Sequence, residues 1–598
     1  MPDPRTAAER PETAGDPGAG RQQRQRVHAG AGGAALEAEG GAPGPDRTLG
    51  AASARWAGWL FVCALVVHAL PPLLLTRFPT QDGPLHVENV LALLRLDHVE
   101  VLRDHLAPNW GLQPNWTTQL LFAALAVAAG PLIAQRLVLA GALVALPLAV
   151  RYALPATPRG RWAALAVFPF LYSFPFLMGF WNFSYGLALL FVVVGAWRRT
   201  RGRITARSGA ALAAVLVLAY FTHTVAVSAS LVAIGVVTAW RGALAYARAR
   251  PSRRRRRLVL AACARRGGAL ALAFAPALVL LGQFLAAHRG HHAVRLPFAT
   301  MVGKLISLYA LVSVDRREVL LSIPVAASIA ALVTLSLLRR RWSGERGRAR
   351  PADGWVATAA VFALLYLATP DVAASGAQIS DRLALLPFLA AIAWLGHSSG
   401  PVRDVRRLAC VLLALSATSL ALRAPRWLAL DRDLGEYVSI AGAVPRGSVL
   451  LPITFQPYGL AEDGTRQAWR IRPFQHAAGY IAAERDALDL DDAQLATDYA
   501  PVRLARGPLP ASVLGPGDAL EGDPPCVDLE AWRRAGGRLD TILLYGATPE
   551  NTRDACSRRM LDALRAGFRR VAVSRPRGLV EVYRSRPAGS APQRTAAR

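Results

Sequence analysis

Residues Trp56 to Leu75 read WAGWLFVCALVVHALPPLLL, an uninterrupted run without a single charge. At a rise of about 1.5 Å per residue, such a run crosses the roughly 30 Å hydrocarbon layer of a bilayer once. Further apolar runs of about 17 to 22 residues follow it. They lie near residues 162–178, 183–197, 208–221, 225–240, 268–287, 319–338, 354–369, 383–396 and 408–423, and the region from Thr117 to Leu154 is long enough for two more. No such run follows Leu422. Upstream, residues 1–52 are rich in Ala, Gly, Pro and Arg with no apolar period, which marks a disordered tail. Polar residues separate Met1 from the first apolar run, so this is not a signal peptide.

The expected fold is therefore a polytopic α-helical membrane protein with about 11 to 13 spans and a C-terminal extracytoplasmic α/β domain. The expected boundaries are a cytoplasmic tail at 1–52, a multi-span domain at 53–425 with an external loop at 77–116, a soluble domain at 426–585 and a disordered tail at 586–598. The composition agrees. The chain is 53% hydrophobic and 18% charged over 598 residues, with a mean hydropathy of +0.28.

The formal net charge of +29 would suggest a nucleic-acid partner if read alone. The basic residues, however, stand in blocks between apolar runs: Arg198, Arg199, Arg201 and Arg203; Arg253 to Arg257; Arg339 to Arg341. That is the positive-inside pattern, and the blocks lack the interleaved aromatics that stack bases, so no nucleic-acid partner is expected. All the blocks fall inside if Thr117–Leu154 makes one net crossing, with one of its halves interfacial or re-entrant. The N-terminus is then cytoplasmic, and the polar and aromatic punctuation collects on the opposite face. It comprises Gln81 to Trp116, the turn from Gly179 to Tyr185, Thr222-His223-Thr224, His288 to Arg295, and Thr369 to Arg382. A site opening away from the cytoplasm follows.

In the C-terminal part, Ser448–Thr454, Thr541–Tyr545, Arg570–Val573 and Leu579–Tyr583 read as strands, with helices at Leu434–Ala443 and Pro549–Phe568. No Gly-rich phosphate loop follows any strand, and no catalytic constellation is visible there. Cys526 and Cys556 lie in this domain, and in an oxidising compartment they form a possible disulfide; two unrelated thiols are the alternative.

The stretch richest in chemistry follows the first span: Phe78-Pro79-Thr80-Gln81-Asp82-Gly83-Pro84-Leu85-His86-Val87-Glu88-Asn89. Pro84 just inside a helix start leaves Asp82 as its cap, with His86 and Asn89 on nearly one face. Asp82 is either a general base flanked by His86 or only a helix cap. Arg382, beside Asp381 at the start of a span, is placed to grip a phosphate or to anchor at the interface. His223 breaks an apolar run, where an ionisable group is costly. The aromatic and polar turn with Trp181, Asn182 and Tyr185 is either an interfacial belt or a surface for a sugar face. His288, His291 and His292 have metal-like spacing but no carboxylate or Cys beside them, so no metal ligand set is assigned.

An acidic residue followed at short spacing by His, directly after the first span and within a long external loop, resembles the GT-C superfamily of polyprenyl-phosphate-sugar-dependent membrane glycosyltransferases. The layout of about a dozen helices with an external C-terminal domain is also similar. The resemblance implies a lipid-phosphate-linked sugar donor, inverting transfer to an extracytoplasmic glycan, lipid or protein, and a bacterial inner-membrane location. By position Asp82 is the base, with His86 beside it. Glu88, Asn89, Trp181, Asn182, Tyr185, His223, Asp381 and Arg382 are the expected substrate contacts. A second acidic motif common in that superfamily has only Asp371 and Asp381 as counterparts. No cofactor is assigned, and a divalent metal is left open. The alternative is a transporter or flippase of lipid-linked saccharides, but no internal repeat is found and the polar groups gather at one face instead of the midplane.

Overall fold

The computed structural model describes residues 45–200, 203–249, 252–289, 292–342, 349–374, 376–497, 500–506, 510–515 and 522–586. The expected tails therefore lie largely outside the described residues, as does His291. The chain divides into Met1–Ala52 and Ser53–Arg598, and the second unit carries everything that follows.

Helix α1 (Pro45–Leu74) leads to the loop helices α2 (Gly83–Arg95) and α3 (Glu100–His105) and a short strand, β1 (Leu106–Pro108). Next come α4 (Trp116–Ala129), α5 (Pro131–Ala153), α6 (Pro158–Leu165), α7 (Phe174–Leu177), α8 (Trp181–Arg199), α9 (Ala206–Thr222), α10 (Thr224–Arg248) and α11 (Arg253–Ala287). The body finishes with α12 (Phe298–Ile306), α13 (Val319–Trp342), α14 (Gly354–Ala368), α15 (Ile379–Leu383), α16 (Leu385–His397) and α17 (Val402–Ser439). Eight helices are long and apolar enough to cross a membrane, by length and composition. Large apolar side chains such as Trp59, Leu74, Leu272 and Leu320 stand exposed along them, as a bilayer solvent requires.

Ion pairs and hydrogen bonds define two ends. At one, Arg198 donates to the Leu154 carbonyl, Arg159 to that of Pro401, and Arg340 pairs with Asp353 at 2.8 Å. At the other, Gln119 near the start of α4 meets His86, and Gln135 near the start of α5 donates to Tyr480 at 2.8 Å. Both α4 and α5 thus begin at the same end, so this pair makes one net passage. Among the described residues the passages between ends are α1, α5, α6 with α7, α8, α9, α10, α11, α13, α14, α16 and α17, eleven in all.

The run expected to be one helix over 162–178 is broken. Pro169 and Pro175 remove backbone donors, and the chain passes through a 3-10 turn at Phe168–Phe170 before α7. Arg423, buried on α17, satisfies freed groups there: it donates to the carbonyls of Tyr172 at 2.8 Å and Leu311 at 2.6 Å while pairing with Glu318 at 2.7 Å.

Beyond α17 lies a five-stranded sheet of order β3-β2-β5-β7-β6. Here β2 is Val449–Thr454, β3 Leu488–Asp489, β5 Thr541–Tyr545, β6 Phe568–Val573 and β7 Val580–Ser585. Strands β3, β2 and β5 run parallel, and β7 and β6 join antiparallel. All of β2 and β5 is buried, which is why both read as continuous apolar runs. Strand β4 (Val502–Leu504) pairs with β1 of the first loop. Helix α18 (Ala478–Arg485) packs on α2, with Gly479 so near that a Cβ there would stand 2.9 Å from the Pro84 carbonyl oxygen. Cys526 and Cys556 are bonded, their Cα atoms 5.7 Å apart.

Candidate functional site

Asp82 precedes α2 with φ −89° and ψ 0°, and its side chain makes no cap bond to the helix. Pro84 presets the first turn, so the helix starts without that help. The backbone of the acidic turn is instead held by the turn before α8: Gln81 N–H donates to the Leu177 carbonyl at 3.1 Å and Asp82 N–H to that of Met178 at 2.9 Å. Gly179, at φ +91°, makes this approach possible. A Cβ there would lie 2.9 Å from Gly83 N and 3.0 Å from Asp82 N, and both are backbone atoms that cannot swing aside.

Asp82 lines a cavity of about 620 Å³ at the domain-bearing end. His86, Trp181, Asn182, His223 and Arg382 line it too. Glu88, Asn89, Tyr185 and Asp381, expected as substrate contacts, do not. Glu88 and Asn89 are buried against the C-terminal domain, with Asn89 Nδ2 3.4 Å from Gln494 Oε1. Tyr185 donates to the Val138 carbonyl at 2.9 Å and ties α8 to α5. Asp381 is buried between Lys304 at 2.8 Å and Arg470 at 2.9 Å. Within the expected His cluster, the ring of His288 is committed to the Phe284 carbonyl at 2.8 Å.

Three imidazoles line the cavity, and the bonds of each bear on its tautomer. In His86, Nε2 donates to the Gly179 carbonyl at 2.9 Å and Nδ1 faces Gln119 Nε2 at 3.1 Å. Both nitrogens are occupied, and burial pushes the pKa down to about 4. His86 is thus a neutral brace with its ring 4.7 Å from that of Trp181, and the role of partner base expected for it has no nitrogen to act through. In His223, Nδ1 accepts from Val225 N–H at 3.1 Å, which leaves the Nε2 proton as a donor. In His476, Nδ1 is buried without a hydrogen bond, 3.9 Å from Asp491 Oδ2.

Asn182 Oδ1 accepts from the backbone and hydroxyl of Thr118, so it fixes the start of α4 as well as lining the cavity. Arg382 carries its guanidinium 4.0 Å above the Phe180 ring. The flank away from Asp82 is apolar: Val225 and Val232 of α10, Leu281 and Leu285 of α11, and Phe362 and Leu365 of α14. Polar head and apolar flank are continuous in one cavity.

Gln119, His476, Gln494 and Thr497 also line it and were not expected. The last three come from the domain in which the sequence shows no constellation. Arg472 N–H, donating to Gln81 Oε1 at 2.9 Å, brings their segment to the acidic turn. Among the described residues no group of three or more His, Cys, Asp or Glu is arranged to hold a metal ion.

No family model matches the chain, and no curated protein matches it. Among solved structures it is similar to the crystal structure of ArnT from Cupriavidus metallidurans in the apo state. The TM-score is 0.45 at 12% identity, over 88% of this chain and 97% of that one. At that level the likeness concerns overall architecture and says nothing about which residues act.

Proposed function

We propose that this chain is a bacterial inner-membrane glycosyltransferase that moves a sugar from a polyprenyl-phosphate donor to an extracytoplasmic acceptor. One observation carries the reading: a single cavity joins a carboxylate that does not cap its helix, Asp82, to a cationic side chain, Arg382, and an apolar flank between α10, α11 and α14. A polyprenyl phosphate has matching parts. Its tail suits the flank, and its phosphate suits Arg382 with the Nε2 proton of His223 as a second donor. Its sugar would lie toward Trp181, whose indole offers an apolar face.

In the reaction, an acceptor hydroxyl oxygen forms the new bond to the anomeric carbon as the bond from that carbon to the phosphate oxygen breaks. The hydroxyl proton passes to Asp82, and polyprenyl phosphate leaves with the bonding electron pair. Donors already pointing at the phosphate stabilise the charge that grows there. The positive-inside pattern of the Arg-rich end supports placing the cavity and the C-terminal domain outside.

The test is turnover in membranes containing the full chain, with a panel of polyprenyl-phosphoryl hexoses and pentoses, read as release of polyprenyl phosphate. Release above that of membranes without the protein is expected for at least one donor. No release from any donor, together with movement of a labelled lipid-linked saccharide between leaflets, would establish the transporter instead. A phosphatase fused after Ser585 should be active, and a fluorescent protein at the same place dark.

A further inference from the structure

The C-terminal domain contributes one wall of the cavity, made by His476, Gln494 and Thr497. Each presents a definite hydrogen-bonding atom. The sealed Nδ1 of His476 faces the Asp491 carboxylate at 3.9 Å, which favours a proton on that nitrogen and leaves Nε2 as an acceptor on the cavity side. Gln494 has its Oε1 turned to Asn89, so its amide N–H groups remain as donors. Thr497 donates its hydroxyl proton to the Gln494 carbonyl at 2.8 Å, leaving its oxygen as an acceptor. An alternation of acceptor, donor and acceptor matches neighbouring hydroxyls of a sugar, which can both give and take protons. It does not match a phosphate or carboxylate, which can only accept.

What lies behind the wall adds to this selection. Asp491 stands against His476, and Glu88, Asp489 and Asp492 are buried near enough to one another to interact electrostatically. Arg472 is the cation acting on His476 from the same side. Among the described residues lining the cavity, the other cationic side chain is Arg382, which belongs to the donor-phosphate side. An anion placed against the domain wall would meet two lone pairs and a carboxylate cluster that one guanidinium does not balance.

We infer that the wall formed by His476, Gln494 and Thr497 is an acceptor subsite for an uncharged polyhydroxyl group, and that it discriminates against phosphorylated acceptors. His476 acts there as a positioning residue: its Nε2 takes the hydrogen bond of the incoming hydroxyl and aims the oxygen, while Asp491 holds the tautomer. This rests on the glycosyltransferase reading for its biological meaning, but binding alone tests it.

The full chain in lipid nanodiscs is titrated, with saturation-transfer NMR as readout, with methyl mannoside, methyl glucoside and the 6-phosphate of each. Neutral glycosides should bind at least ~10-fold more tightly than their phosphates. His476→Ala should weaken the neutral glycosides by ~10-fold, the loss of one hydrogen bond to a buried group. His476→Gln, whose amide oxygen reaches the place of Nε2, should restore most of it. Asp491→Asn should narrow the gap between neutral and phosphorylated ligands, a change that a purely structural role would not produce. Phosphates binding as tightly as neutral glycosides, no binding of either, or an unchanged affinity in His476→Ala overturns the subsite. If binding behaves as stated while no polyprenyl-phosphoryl donor turns over, the subsite stands and the glycosyltransferase reading falls.

Discussion

Two aspartates of this molecule looked alike in sequence and are opposites in space. Asp82 and Asp381 both stand at the domain-bearing end beside a helix start, and each has a polar neighbour. Asp381 is buried with two cations on one of its oxygens, Lys304 and Arg470, and Arg470 also lies 3.7 Å over the ring of Phe174. It knots α12, α15 and the C-terminal segment together. Asp82 is half-buried on the cavity wall, held through its backbone and not through its carboxylate. A carboxylate enclosed by cations serves architecture, whereas one on a cavity wall is available to a ligand.

The same substitution at the two positions should therefore fail in different ways. Asp82→Asn keeps volume and leaves the backbone bonds in place, so insertion and thermal stability should persist while turnover falls by roughly 10²-fold or more. Asp381→Asn should leave two buried cations short of a partner and lower stability by about 3 kcal/mol. A thermal midpoint and a turnover number measured on both variants decide it. Near-normal turnover in Asp82→Asn would remove the base, and an unchanged midpoint in Asp381→Asn would dissolve the knot.

Gly179 sharpens the contrast from the other side, since it touches Asp82 only through backbone. In Gly179→Ala the new Cβ meets Gly83 N and Asp82 N at 2.9 and 3.0 Å in a conformation that suits glycine. The acidic turn must shift, and turnover should drop by about 10-fold, because a displacement near 1 Å is costly to a positioned group. Loss of activity without loss of the folded protein would show that placement of Asp82 matters as well as its charge. Equal activity would show that the turn is slack.

The spans were legible in the sequence because length and apolarity are local properties that lipid imposes on each run separately. Strands β2 and β5 were legible for a related reason, being buried throughout. What was not legible depended on direction. Asp381 and Arg382 are adjacent in α15, and neighbours on a helix point about 100° apart, so one enters the knot and the other the cavity. His86 and Glu88 on α2 diverge by about 200° for the same reason, which turns Glu88 toward the C-terminal domain. Tyr185 shares its helix with Trp181 and Asn182 but reaches α5. His476 lies 390 residues beyond His86 in the chain, and no local pattern connects them. The break near Pro169 and Pro175 had a signal, two prolines within an apolar run, that outweighed the hydropathy.

A third acidic region gives the smallest effect, read as the pH dependence of stability. Burial, then repulsion among neighbouring carboxylates, holds Glu88 well above the usual carboxylate range, and burial pushes Asp489 and Asp492 up to about 7. Groups whose pKa is raised on folding bind more protons in the native state, so their contribution is present at low pH and is lost as pH rises through about 7. His86 and His476 work in reverse. Burial lowers both to about 4, so their contribution is lost as pH falls from the ordinary imidazole value toward that point. Above neutrality the imidazoles are uncharged whether folded or not, and only the carboxylates still matter. The thermal midpoint should therefore be lower at pH 8 than at pH 6.5, by a few degrees at about 2 to 4 °C per kcal/mol. Asp489→Asn and Asp492→Asn should each flatten that slope while leaving the midpoint at pH 5.5 nearly unchanged. Equal midpoints at pH 6.5 and 8, or a slope that survives both substitutions, would show that these carboxylates are not held protonated between α2 and the C-terminal domain.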